Sequence, residues 1–337
     1  MNNDENLLQR IRGVIVGGAI GDAMGMPTEL WTQHMINQTF ENGIQKLIGS
    51  IHNPNLMARD MQAGEITDDT INTLLIIDTI TASKGDLNVD QYIQKLTEWT
   101  ENSELSAYVS GPSTLKALEQ IKQGVPISET GRFGTTNGAS MKIAPVGIIS
   151  DYNDMNRLVE NVYQICLPTH NTGIAIAGAS AVAAIISYVT EGGDDLDTIW
   201  DIAYEAIDMG MRKGYDLPGP SLKYRIESAK EIVENNNLSG AKEKLYDQIG
   251  TGVETVETIP SVLAVVTMAA GRPMEAAKIS ASLGGDTDTI GAISAAICGG
   301  MNQQFDQTAV DQIERVNNLY FNDIAKEILY YSPYYSK

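Results

Sequence analysis

Apolar residues recur along this chain in steps of three and four, and no sustained every-other-residue alternation marks a half-buried strand. Leu7, Leu8, Ile11, Val14, Ile15 and Gly18 share one face of a first helix, which Pro27 ends. Ile71, Leu74, Leu75 and Asp78 continue a second to about Ala82. The same period predicts helices over 89–100, from the Gly111-Pro112 turn through Lys122, and over 174–188, 196–213, 221–235, 241–249 and 261–270, with another starting at Pro273. Residues 31–63 carry turn signals at Gly49-Ser50 and His52-Asn53-Pro54-Asn55 and no period; residues 250–260, β-branched and closed by Pro260, also read as a turn. About a dozen helical patterns, no domain-sized repeat and no Pro/Ser-rich linker predict an all-α fold, one compact multi-helix domain over residues 1–337.

Polar residues interrupt the pattern at two places. Thr67-Asp68-Asp69-Thr70 and Asp286-Thr287-Asp288-Thr289 each stand just before an apolar helical run, where Thr and Asp cap the first turn and carboxylates suit the positive end of the dipole. One such residue per helix is an ordinary cap. Two carboxylates in one first turn, twice in a chain and once behind Gly284-Gly285, exceed what capping needs. Asp68, Asp69, Asp286 and Asp288 together balance two divalent cations, with Thr67 and Thr289 as neutral oxygen donors. An all-oxygen set selects Mg, Mn or Ca over Zn or Cu. If the two clusters share a site, most of the chain must close around it.

Gly17, Gly18, Gly21 and Gly25 fall within the first helix and would cost it roughly 1 kcal/mol each relative to Ala. Close backbone approach to another helix or to a ligand would compensate. Glu29 follows on the loop after Pro27, solvated unless it stands beside a metal site. The polar stretch 131–147 offers backbone amides and hydroxyls to a phosphate without P-loop spacing; within it Asn137-Gly138 alone is a turn and Lys142 reads as a solvated charge. His170, before the 174–188 helix, has no second His nearby and reads as structural.

Composition narrows the partners. The 43 acidic against 23 basic side chains give a formal charge of −20, which argues against nucleic acid and against an anionic membrane surface. High Gly content with only 6 % aromatic residues favours closely packed helices. Cys166 and Cys298 read as core thiols. The first residues lack a basic signal-peptide segment, and 173–187 is short for a membrane span, so a soluble cytoplasmic protein is expected.

Taken in order, Gly21-Asp22-Ala23-Met24-Gly25 with Glu29, Thr67-Asp68-Asp69-Thr70, Asn137-Gly138 with Met141, Pro145 and Gly147, Thr169-His170, and Gly284-Gly285-Asp286-Thr287-Asp288-Thr289 resemble the ADP-ribosylglycohydrolase family over roughly residues 10–300. The resemblance implies a compact all-α fold with two Mg²⁺ (or Mn²⁺) ions at the base of a cleft, cleaving N- or O-glycosidic bonds of ADP-ribose, with an ADP-ribosylated protein among the possible substrates. It implies Thr67, Asp68, Asp69, Asp286, Asp288 and Thr289 as metal ligands and Glu29 as the acidic residue over one metal. Gly134, Thr135, Thr136, Asn137 and Gly138 match the diphosphate and ribose contacts, His170 a substrate-side histidine, and the segment from Gly252 to Pro260 the wall at the adenosine end. Lys142 stands among the substrate-side positions where the motif usually has Arg, Ile66 stands where an aromatic is common, and 215–228 matches no motif of the family.

These residues suit hydrolysis at a ribose anomeric carbon, with Asp68 or Asp69 taking a proton from water and Glu29 acting as acid/base or holding the diol. Two other readings remain open: the same chemistry on a nucleoside or O-acetyl-ADP-ribose, and a non-catalytic ADP-ribose-binding or structural protein.

Overall fold

The computed structural model describes residues 3–52 and 60–336; the turn expected at Asn53-Pro54-Asn55 lies outside them. Helices account for all the regular structure among the described residues, and one hydrophobic cluster draws members from Leu7 to Leu329. At its centre the Asn3–Gly25 helix runs antiparallel to the Thr287–Met301 helix. A Cβ added at Gly13, Gly17, Gly21 or Gly25 would lie 2.0, 2.1, 2.0 or 2.3 Å from the carbonyl oxygen of Gly299, Ala295, Gly291 or Thr287. Both helices thus step in fours, small residue against backbone, and the glycines of the first serve a helix contact rather than a ligand.

The Gly173–Glu191 helix packs beside this pair. It is longer than its apolar run suggested, because Thr172 caps its start and Gly192, at φ +124°, closes its end. Its 19 residues and mean hydropathy of 1.8 satisfy the length and composition of a membrane span, but 89 % of that stretch is buried inside the protein. Thr255–Met268 and Pro273–Ala281 complete the inner layer. Cys166 and Cys298 are buried free thiols, as expected.

Several expectations need correction. A helix at Gln33–Thr39, capped by Thr32, occupies part of the 31–63 stretch, and a short helix at Ser106–Val109, which the period did not predict, precedes the Gly111-Pro112 turn. The π turn Leu245–Ile249 ends the helix that begins at Leu238. The helix expected from Ser261 begins at Thr255 and carries Pro260 inside it. Its start is set from outside: the Thr255 N–H donates to Thr135 O at 3.1 Å, next to the isolated antiparallel bridge between Thr136 and Glu254. Pro260 then removes one intrahelical bond and leaves the rest in place.

Candidate functional site

Thr67 is the N-cap of the Asp68–Ala82 helix, its Oγ1 accepting from the Asp69 N–H. Asp286 is the N-cap of the Thr287–Met301 helix, yet its carboxylate makes no capping bond and accepts instead from Asn137 Nδ2. Both clusters face one point. Thr289 Oγ1 donates to Asp69 Oδ2 at 3.3 Å, across 220 residues of chain, and Thr67 Oγ1 donates to the same oxygen at 3.2 Å. Carboxylate oxygens of Glu29, Asp286 and Asp288 all lie within 4.8 Å of one another. Asp68, Asp69, Asp286 and Asp288 are buried and Glu29 is half-buried.

Two backbone devices hold this arrangement. The helix that ends at Gly25 passes through a single turn, Met26–Thr28, before Glu29. Leu30 follows at φ +63°, a left-handed conformation that a bulky residue adopts only under constraint. The constraint is a reciprocal pair: Leu30 N–H to Gly285 O at 2.8 Å and Gly285 N–H to Trp31 O at 2.9 Å. Gly285 itself stands at φ +79°, where an added Cβ would meet Thr251 O at 2.2 Å. The Asp286 N–H donates to that same Thr251 oxygen at 2.7 Å, and Thr251 Oγ1 donates to Gly284 O. Glu29 and Asp286 are therefore positioned by one set of loop contacts.

Asp22 was quoted in a motif but given no role by the sequence. It is fully buried under the start of the first aspartate helix, accepting from the Thr67 and Thr70 N–H groups at 3.0 and 3.1 Å and from Thr70 Oγ1 at 2.5 Å. A carboxylate four residues beyond Gly18 on an apolar helix was the available signal. Burial pushes Asp22 up to about 7, with the Thr70 hydrogen bond opposing and Asp288 adding to the rise. Asp69 and Asp286 are raised well above the usual carboxylate range, first by burial and then by their acidic neighbours, with Asp288 foremost.

The residues expected on the substrate side line a second arm. Asn137 bridges the arms, its Nδ2 donating to Asp286 and to Thr258 Oγ1. His170 is buried, with Nε2 3.0 Å from Thr136 Oγ1 and Nδ1 2.8 Å from Thr169 Oγ1. The ring lies against Gly138, where a Cβ would sit 2.8 Å from Cε1; a Cβ at Gly134 would meet Thr169 O at 2.4 Å. Gly252 lies at the turn behind Asn137, its N–H donating to Glu257 Oε2 and its carbonyl accepting from Thr258 Oγ1. Lys142 departs from expectation. It is no solvated charge but fully buried, its Nζ donating to Thr169 Oγ1 at 3.2 Å and lying 5.4 Å from the Tyr92 ring centre. Burial lowers it to about 8. Beyond Thr135 a cleft of about 730 Å³ opens, walled by Glu254, Val256 and the unmatched segment from Asp216 to Lys223.

Comparison with known proteins gives the family and the fold. The ADP-ribosylglycohydrolase family model matches residues 3–330. An uncharacterised Escherichia coli protein, YegU, is 33 % identical over 96 % of this chain and 97 % of its own length. ADP-ribosylarginine hydrolase Tri1 of Pseudomonas putida is 25 % identical over 88 % of this chain and 71 % of its own, and human ADP-ribosylhydrolase ARH3 is 21 % identical over 88 % and 87 %. A solved structure described as an ADP-ribosylglycohydrolase-related protein complex superposes with a TM-score of 0.72 at 18 % identity, covering 97 % of this chain and 99 % of that one. Matched along nearly its whole length, the chain belongs to the ADP-ribosylglycohydrolase family.

Proposed function

We propose that this protein is a metal-dependent hydrolase that cleaves the glycosidic bond at the ribose anomeric carbon of an ADP-ribosylated protein or another ADP-ribose conjugate. The observation that carries the reading is the meeting of the two aspartate clusters at Asp69, beside the Glu29, Asp286 and Asp288 oxygens. The donor set fits hard divalent cations: every candidate ligand is oxygen, and Asp69 Oδ1 is buried with no hydrogen-bond partner among the described residues, a costly state for a carboxylate unless a cation or proton takes it. Thr67, Asp68, Asp69, Asp286, Asp288 and Thr289 would hold two Mg²⁺ or Mn²⁺ ions, whose bound chemistry is charge neutralisation and Lewis acidity.

The chain's own residues do the rest. Departure of the aglycone leaves positive charge on the ribose ring, which the gathered carboxylates stabilise. Asp68 or Asp69 takes a proton from the attacking water, and Glu29, held on its strained turn at the rim, acts as acid/base or fixes the diol. The arm from Gly134 to Gly138, with His170 and Gly252 behind it, binds the diphosphate and ribose. The cleft beyond Thr135 has room for more than a nucleoside, which supports the larger substrate.

The test is a hydrolysis panel with added Mg²⁺ or Mn²⁺: ADP-ribosyl-arginine peptide, ADP-ribosyl-serine peptide, O-acetyl-ADP-ribose and plain nucleosides. Release of free ADP-ribose from at least one of the first three, abolished by Asp286→Asn, is expected. Turnover of nucleosides alone would overturn the substrate assignment, and an unchanged rate in Asp286→Asn would remove this site from the reaction.

A further inference from the structure

Four buried or half-buried side chains form an unbranched chain: Lys142 Nζ, Thr169 Oγ1, the His170 ring and Thr136 Oγ1, at 3.2, 2.8 and 3.0 Å. It begins at the buried Lys142 and ends on Thr136, the half-buried member, next to Thr135, which lines the cleft. Its protons can be assigned by elimination. An ammonium group has three donors and no acceptor, so Lys142 must donate to Thr169. The Thr169 hydroxyl has one proton, and among the described residues the only other partner of its oxygen is His170 Nδ1. If Nδ1 carried a proton instead, the Thr169 hydroxyl proton would be buried without an acceptor, at a cost proteins avoid. Burial and the Lys142 charge both disfavour the imidazolium. The neutral ring therefore accepts at Nδ1 and donates from Nε2 to Thr136.

We propose that Lys142 is a positioning residue that fixes the Nε2–H tautomer of His170 and so makes the Thr136 hydroxyl an outward hydrogen-bond donor, poised for an acceptor such as a phosphate oxygen of the substrate. The opposite tautomer would turn the Thr136 proton inward and present lone pairs to the ligand. The ring packs against Gly138 and Gly134, where a Cβ would lie 2.8 Å from Cε1 and 3.1 Å from Cδ2, so a side chain at either position would displace it. An Arg at position 142 would impose the same polarity, having donors only; a residue that can also accept would not. The ligand class rests on the functional reading above, whereas the tautomer does not.

The experiment is long-range ¹H–¹⁵N correlation NMR on the full chain labelled at histidine, without ligand, with His34→Gln and His52→Gln removing the other two histidine signals. A pyridine-type shift at Nδ1 and a pyrrole-type shift at Nε2 are expected. The reverse pattern would overturn the proposal whether or not the protein hydrolyses any substrate. Lys142→Met is expected to give mixed or reversed shifts and about tenfold weaker binding of ADP-ribose, in line with loss of one hydrogen bond to an anion. Lys142→Arg is expected to recover both. If Lys142→Met fails to fold, Lys142→Gln replaces it, with mixed shifts expected. An unaltered tautomer in whichever of the two is folded would show that Lys142 does not set it. A fixed tautomer in the wild type with no ADP-ribose binding would confine the fault to the ligand assignment.

Discussion

Replacing Gly21 with alanine puts a methyl carbon 2.0 Å from Gly291 O and 2.3 Å from Gly291 C. A carbon–oxygen contact relaxes to about 3.3 Å, so the overlap is about 1.3 Å. The atoms it meets are helix backbone, which cannot swing aside as a side chain would. The two helices must part, and because their four-residue steps run from Gly13 to Gly25 the gap opens along the whole interface. Overpacking costs about 1–3 kcal/mol, and this case belongs at the upper end. Alanine returns about 1 kcal/mol of helix propensity, leaving a net loss of about 2 kcal/mol. Gly18 supplies the control within the same helix. Its added Cβ would sit 3.7 Å from Ala296 Cβ and 3.8 Å from Ala292 O, ordinary contact, so Gly18→Ala should keep the propensity gain and be more stable than wild type by up to about 1 kcal/mol. Urea unfolding followed by far-UV circular dichroism measures both. A separation of about 3 kcal/mol between the variants is expected. Variants that unfold within about 0.5 kcal/mol of one another would refute the close-approach argument.

Other consequences follow from the carboxylates. Asp22, with its folded-state pKa raised from 3.8 to about 7, binds a proton more readily folded than unfolded. The cation-free protein should therefore lose stability as pH rises through that window, and Asp69 and Asp286, also raised by burial and their acidic neighbours, should add to the loss. Thermal melts from pH 4 to 9 in EDTA should show the decline. Mg²⁺ or Mn²⁺ at about a hundred times its Kd should add about 2.7 kcal/mol at neutral pH, and melts insensitive to both ions would count against cation binding. Gly285→Ala, which must clear Thr251 O at a positive φ, should destabilise by about 2 kcal/mol or more and reduce hydrolysis more than ADP-ribose binding. A melt and a kcat-against-Kd comparison check it, and equal losses in both constants would separate Gly285 from the aspartate centre.

The aspartate clusters were legible because they break a helical period with residues that also serve as caps; their local chemistry announces them. That they meet is tertiary information, carried by Thr289 and Asp69 from opposite ends of the chain. The glycines of the first helix were visible as an anomaly, but their partners at 287, 291, 295 and 299 were not, since Thr, Ala and Gly at four-residue intervals are unremarkable alone. Lys142 was misread because nothing within a few residues of it reveals burial: the groups around it, Tyr92 and Thr169, come from distant segments. Pro260 misled for a different reason. The propensity argument that ends a helix at proline was outweighed by the anchoring of Thr255 to Thr135.

The pairing of the first helix with the one at Thr287–Met301 also sets the order in which this molecule can assemble. The Thr287 hydroxyl reaches back 262 residues to Gly25 O. At about 5–20 residues per second, a nascent chain waits roughly 13–50 s between making one partner and making the other. During that interval the grooved face of the first helix has nothing to close against, although Asp22 can already hold the Thr67 turn, and contacts of such long sequence separation slow the final step. A half-synthesised chain therefore carries Glu29, Asp68 and Asp69 without Asp286 and Asp288, and the centre is complete only once those two have left the ribosome.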